Sequence, residues 1–294
     1  MENLFDNISY LPQEDINTRT ESLIGFESKY DRAYSNLKLF LDPDAIQDWS
    51  KKHHGTILPI VKQLEEKYSL IILEGDAGTG KTVSAEGIAD RMARDMKKEG
   101  RFIKLSTRVR GEGLHGQMSN LVNDAFEKLS TEAGKKRLAF LLIDEADAIA
   151  TTRGTSQMHQ EEKAAVNTLI QKIDEIRKLK GRAIVFMSTN RLHYLDEAII
   201  RRAAVVLSFE RPNKEERIEL FQKSLAGLDL SPEDLNQLAD LTGQKDSNPV
   251  GYSFSDLRLK VLPEALAKAY PQYPLGMEHI LDAIKTIPPS PEIT

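Results

Sequence analysis

Residues Gly75-Asp76-Ala77-Gly78-Thr79-Gly80-Lys81-Thr82 satisfy the pattern G-x-x-x-x-G-K-[ST] at every fixed position. That spacing is built for phosphate. Glycines let the backbone wrap so that its N–H groups turn inward toward anionic oxygens, and a helix starting there adds the positive end of its dipole. Lys81 is the candidate contact to the β- and γ-phosphates, and the Thr82 hydroxyl is the candidate ligand for Mg²⁺. A second group lies 62 residues beyond Thr82, where the apolar run Leu138–Ile143 ends in Asp144-Glu145-Ala146-Asp147. Two adjacent carboxylates at the end of a buried run are costly unless a cation or ligand uses them. Asp144 is the candidate to hold the metal through water, and Glu145 the candidate base that polarises the attacking water. Thr189-Asn190 closes a third apolar run, and the Asn190 amide could help to orient that water. Arg201 and Arg202 follow as neighbouring cations suited to transition-state charge.

The elements that must position these groups can be read around them. Ser69–Glu74 reads as a short buried strand feeding the glycine-rich loop, and Val83–Lys98 as the helix leaving it. Strand-like runs at Ser69–Glu74, Arg101–Ser106, Leu138–Ile143, Arg182–Ser188 and Val205–Phe209 alternate with helical ones. This alternation predicts an α/β fold with a parallel sheet covered by helices on both faces. Lys29–Leu41 and Thr56–Tyr68 read as helices separated by a loop around Lys51–Gly55, and residues 1–20 as an irregular arm. Pro212 breaks the chain after the last strand. Asn213 with Glu216 forms a capping box, and Ser231-Pro232 opens a further helix. Helices near Ser253–Tyr270 and Met277–Ile287 complete an all-helical segment. The expected domains are therefore 21–211 and 212–287, with a proline-rich mobile tail at 288–294.

The ordered set of phosphate loop, Ile143-Asp-Glu-Ala-Asp147, Ser188-Thr-Asn190 and Leu195-Asp-Glu-Ala-Ile-Ile-Arg-Arg202 resembles the AAA type of AAA+ ATPases. The resemblance runs from about Ser22 to about Ile287. Three stretches narrow it: Val166–Asp174, Ile200-Arg-Arg-Ala-Ala204 and Leu259-Lys-Val-Leu-Pro263 are similar to segments of the HORMA-remodelling family, the pachytene-checkpoint and thyroid-receptor-interacting ATPases. The resemblance implies a five-stranded sheet of order 5-1-4-3-2 with a small C-terminal helical lid, and ATP held between them with Ile24, Gly25 and Val83 among the nucleotide contacts. It implies a homohexamer in which Arg201 and Arg202 serve a neighbour's site. It also implies a HORMA-domain protein as substrate and a role in a bacterial nucleotide-second-messenger antiphage system. Loops lining the channel (Arg110–Met118 and Arg153–Glu162) are expected to move polypeptide. Alignment puts Gly113-Leu114-His115 where the family carries a bulky aromatic, so the grip is aliphatic plus imidazole. Where the family has a lid arginine at the γ-phosphate, the register here puts Ser255 or Leu257, which leaves two alternatives: Arg258 substitutes, or the contact is missing. The chain has no room for the N-terminal substrate-binding domain of eukaryotic members, which implies a short bacterial-type member.

Composition narrows the field further. With 40 basic and 45 acidic residues the formal net charge is −5, which gives no general attraction for nucleic acid or an anionic membrane. Cysteine is absent, which excludes disulfides and thiolate metal sites. No apolar run reaches the ~18 residues of a membrane span, and the polar first residues are no signal peptide. The cytoplasm is the expected compartment. Two other classes stay open: a nucleic-acid-handling AAA+ loader, and a nucleotide-gated scaffold that hydrolyses ATP only incidentally.

Overall fold

The computed structural model describes residues 5–105, 117–134, 137–150, 160–245 and 249–292. By its contacts the chain divides into two compact units. The first comprises residues 1–20, 26–74 and 82–208; the second comprises 21–25, 75–81 and 209–294.

The first unit begins with β1 (Phe5–Leu11), α1 (Glu14–Glu21), α2 (Phe26–Leu41), α3 (Pro43–His54) and α4 (Pro59–Gln63). It continues with β2 (Leu70–Gly75), α5 (Lys81–Asp95), β3 (Glu99–Leu105), α6 (Gln117–Glu132), β4 (Arg137–Ile143), α7 (Gln160–Ile176), β5 (Ala183–Thr189), α8 (Glu197–Ile200) and β6 (Val205–Phe209). The strands form one sheet of order β1-β3-β4-β5-β2-β6. Pairings β3–β4, β4–β5 and β5–β2 are parallel. Read from β6, this is the expected 5-1-4-3-2 order with one strand added. Every residue of β5, and all of β4 after Arg137, is buried, as strands covered on both faces must be. One face packs Ile103, Leu141, Ile143 and Val185 against Leu121, Phe126, Leu169 and Ile173 of α6 and α7.

Three local expectations are corrected here. The supposed irregular arm is β1 and α1: β1 lies antiparallel on β3, pairing Ile8 with Ile103 and Leu11 with Gly100. Its hydrogen bonds come from a strand some 90 residues away, so no local periodicity announces it. The supposed loop at Lys51–Gly55 is the end of α3. Asp42 caps α3 by accepting from the Ala45 N–H, Pro43 opens it, and Gly55 closes it in the left-handed region. The helix expected at Thr56–Tyr68 starts only at Pro59 and gives way to a tighter turn at Leu64–Glu66. Leu58 precedes a proline and is held extended at ψ 144°.

The second unit carries α9 (Lys214–Ser224), α10 (Pro232–Leu241), α11 (Phe254–Asp256), α12 (Leu262–Ala269) and α13 (Met277–Thr286). Its core joins Leu220, Phe221, Leu238, Leu257, Val261, Ile280 and Ile24. The expected capping box at Asn213/Glu216 starts α9, and Ser231 caps α10 ahead of Pro232 as expected, with Asp234 completing a second box. The stretch read as one helix from Ser253 to Tyr270 contains a π-helical turn at Leu257–Val261. Pro263 has no N–H for the Leu259 carbonyl and its ring would clash there, and a widened turn relieves both. The tail is not the unpacked end expected from its prolines. The Ser290 hydroxyl donates to Asp256 (2.6 Å), the Ser290 N–H does the same (3.1 Å), and Arg211 donates to the Pro291 carbonyl (3.2 Å).

Candidate nucleotide site

The glycine-rich loop belongs by its contacts to the second unit. Gly75 adopts φ 139°, and a Cβ there would lie 2.0 Å from the Phe209 carbonyl oxygen, so no other residue fits. Gly78, at φ 74°, lies against Ser253 and Ser255, and the Ser255 N–H donates to the Gly78 carbonyl (3.0 Å). Thr79 ties the loop internally by donating to the Asp76 carbonyl (2.8 Å). The Lys81 ammonium is buried on two loop carbonyls, those of Gly75 and Asp76, each at 2.8 Å. Asp76, an acid inside an anion-binding loop, is neutralised by Arg211 (Nε–Oδ2 2.6 Å); both side chains are 11% exposed. Arg211 also donates to the Gly251 carbonyl (2.6 Å). The same residue thus holds the loop, residue 251 and the tail.

Ile24 is buried in the second unit's core and Gly25 turns at φ 70°. Arg258, the substitute for a lid arginine, donates instead to the Ser22 carbonyl. Burial lowers its pKa. It positions residues 22–25, and the residue whose backbone meets the loop is Ser255.

Within the first unit, Thr82 and half-exposed Val83 start α5, and the Thr82 hydroxyl donates to Asp144 Oδ2 at 3.0 Å. Asp144 closes β4, and its Oδ1 accepts from the Glu145 N–H (3.1 Å). Glu145 is exposed and sits in the left-handed region (φ 48°, ψ 49°), a conformation costing about 1–2 kcal/mol for a residue with a Cβ. Strain of this kind collects where a side chain must point somewhere particular. Asp147 accepts from the buried Thr189 hydroxyl (2.9 Å), which in turn accepts from the Arg191 N–H. These bonds clamp the turn that carries Asn190 to the acidic segment. Thr189 was visible in the sequence only as the neighbour of Asn190.

Mg²⁺ is a hard cation that takes oxygen ligands and keeps several waters, so it needs few protein ligands. Thr82 Oγ1 and Asp144 Oδ2 form such a minimal pair, and the Lys104 ammonium lies 3.8 Å from the same Oδ2. The carboxylate already faces a cation position. No cluster of three or more His, Cys, Asp or Glu suited to an all-protein metal cage occurs among the described residues. The donor set fits Mg²⁺ held jointly with a phosphate ligand.

The two adjacent arginines are held differently. Asp196 caps α8 by accepting from the Ala198 N–H (2.9 Å), and Arg201 follows at its end, 79% exposed, with an equally exposed Glu197 at 2.9 Å. Arg202 makes a two-pronged ion pair with Asp174 (2.8 and 3.1 Å), donates to the Ala198 carbonyl, and lies over the Tyr68 ring. Hydrogen bonding from Arg202 holds the Asp174 carboxyl below the usual range. Gly113, Leu114 and His115, and the second channel loop at 153–159, lie outside the described residues.

Comparison with known proteins agrees with this geometry. Residues 71–211 match the family model "ATPase family associated with various cellular activities (AAA)". The chain is 44% identical over 289 residues to CD-NTase-associated protein 6 of Escherichia coli strain KTE188, covering 98% of this chain and 97% of that one. One chain of the E. coli MS115-1 HORMA:CdnC:Trip13 complex superposes with a TM-score of 0.91 at 37% identity, covering 100% of this chain and 98% of that one. A Rhizobiales Trip13 structure gives 0.75 at 31%, covering 98% and 100%. With the phosphate loop, the Thr82–Asp144 contact and full-length similarity in agreement, the chain belongs to the AAA ATPase family, in the Trip13-like branch that includes CD-NTase-associated protein 6.

Proposed function

We propose that the chain is a ring-forming remodeller that spends ATP to open a HORMA-domain protein and dissociate its complexes, and so regulates a CD-NTase antiphage system. The observation that carries this reading is the whole-length likeness to a chain solved together with HORMA and CdnC. The ring is read as a homohexamer. A cytoplasmic setting, where ATP and magnesium are available, goes with it; among the described residues no helix is long and apolar enough to cross a membrane.

Each residue then has a task. Backbone N–H groups of residues 75–82 cradle the phosphates, and Lys81 shifts from the Gly75 and Asp76 carbonyls to the anion. Ile24 and Gly25 contact the base, with Arg258 holding their segment through Ser22. Thr82 and Asp144 would hold the metal, Asp144 through water. When bound, Mg²⁺–ATP supplies the phosphoryl group and concentrates the charge that the loop neutralises. Glu145 accepts the proton of the attacking water, and Asn190, fixed by the Thr189–Asp147 bond, orients that water. Arg201 is the arginine that reaches a neighbour's site. Arg202 anchors the helix end from which it projects, a narrower role than the paired-finger expectation. Leu114 and His115 grip the substrate chain.

A tagged Glu145→Gln variant, purified with ATP from the native host, tests the reading. Binding should persist while turnover falls by at least about 100-fold, and a HORMA-domain protein should co-purify in stoichiometric amount. Capture of nucleic acid that dissociates with salt would favour the loader class instead. Empty hexamers whose slow hydrolysis no partner changes would favour the scaffold.

A further inference from the structure

Lys104 is out of place for a strand in the middle of this fold. Its neighbours Phe102, Ile103 and Leu105 are buried, and it stands in register with Leu142 of β4, two residues before Asp144. Ile103 and Leu105 join the core beneath α6 and α7, so alternation puts Lys104 on the opposite face of the sheet. A cation so placed needs partners. One is Asp144, whose Oδ2 is 3.8 Å away; the two side chains are only 28% and 20% exposed. A second carboxylate within electrostatic reach is Glu86, on α5 one turn beyond Thr82. Burial raises the pKa of Glu86, and the charges of Arg19 and Lys104 oppose that rise. Arg19 of α1 is itself 3.3 Å from Glu86. Four alternating charges, Arg19, Glu86, Lys104 and Asp144, therefore run through the first unit to the carboxylate that faces Thr82.

We propose that Lys104 is a resident counter-ion of Asp144 that magnesium must displace, so that this lysine sets how much Mg²⁺ the chain needs to hold nucleotide. The inference rests on the reading of Thr82 and Asp144 as the metal's ligands. A divalent ion drawn to Asp144 repels the ammonium, and Glu86 offers it a second acceptor on the same face. Without metal, Lys104 has the opposite value: it neutralises a carboxylate that would otherwise repel a triphosphate. The lysine thus weakens magnesium binding and strengthens metal-free nucleotide binding.

These opposite signs make the test. Binding of a fluorescent, non-hydrolysable ATP analogue is measured without divalent ions and across a Mg²⁺ titration, for wild type, Lys104→Met, Lys104→Arg and Asp144→Asn. Lys104→Met should bind the analogue about three- to tenfold more weakly without Mg²⁺, yet reach half-saturation at about three- to tenfold less Mg²⁺. Lys104→Arg should behave as wild type, and Asp144→Asn should lose most of the magnesium dependence. Parallel weakening of Lys104→Met in both conditions would mean a packing role and overturn the proposal; so would no change in either. If wild type shows no magnesium dependence, the metal reading fails and this inference fails with it. If wild type and Asp144→Asn behave as stated while Lys104→Met lacks the crossed response, only the counter-ion role is lost.

Discussion

Arg201 and Arg202 are adjacent in sequence and chemically alike, yet the fold gives them different surroundings. Each residue step in a helix rotates the side-chain direction by about 100°. One guanidinium therefore points to solvent while its neighbour lies on Asp174 and Tyr68. The exposed Arg201–Glu197 pair contributes little and exchanges freely, which suits a residue that must reach elsewhere. Arg202→Ala should lower stability by about 1 kcal/mol, because Asp174 is partly exposed and recovers some solvation. Arg201→Ala should leave the unfolding midpoint unchanged and reduce kcat at least about tenfold. Chemical denaturation alongside a steady-state ATPase assay separates the two. Equal stability losses, or equal activity losses, would contradict the division of labour.

At the level of elements, a buried carboxylate joins α11, the π-helical turn after it and the tail. Asp256 is 1% exposed and accepts five hydrogen bonds: from the Ser253 N–H and hydroxyl, the Ser290 N–H and hydroxyl, and the Lys260 ammonium. Burial alone would raise its pKa, but the hydrogen bonds from Lys260, Ser290 and Ser253 outweigh burial and hold the carboxyl well below the usual range. A depressed folded value means that the unfolded chain takes up the proton first, near its ordinary pKa of about 3.9. The stabilisation is therefore complete above about pH 4 and is lost as pH falls toward the lowered folded value. Asp256→Asn should cost about 2 kcal/mol at neutral pH, with its deficit relative to wild type shrinking below about pH 4. Urea unfolding at several pH values measures this. A deficit that does not change with pH would assign the loss to packing rather than charge.

At the scale of the whole molecule, one chain carries the glycine-rich loop, the Thr82–Asp144 contact and an exposed Arg201. Heterologous contact between identical chains closes into a ring when the rotation permits. If Arg201 acts on a neighbour's nucleotide, Arg201→Ala and Lys81→Ala chains, each impaired alone, should show higher ATPase activity when mixed into one ring than either does by itself, since each supplies what the other lacks. Native mass spectrometry establishes that mixed rings form. Mixed rings without recovered activity would place the arginine's role within its own chain.

Much of this was written locally. The phosphate loop, the Asp144-Glu145 strand end, the five alternating strands and the capping boxes of α9 and α10 each lie within a few residues of sequence, where spacing and side-chain type dictate geometry. The caps of α3, Asp42-Pro43 and Gly55, are local chemistry too, yet the reading of Lys51–Gly55 as a loop missed them. What tertiary structure decided was every pairing across distance. It turned residues 5–11 into an edge strand on β3, pinned the proline-rich tail through Ser290, and joined Arg258 to the Ser22 carbonyl. It also separated the two arginines and brought Lys104 to Asp144. A hydrogen bond or ion pair between residues tens of positions apart leaves no period in the sequence, so only the folded chain reveals which of many similar charges meet.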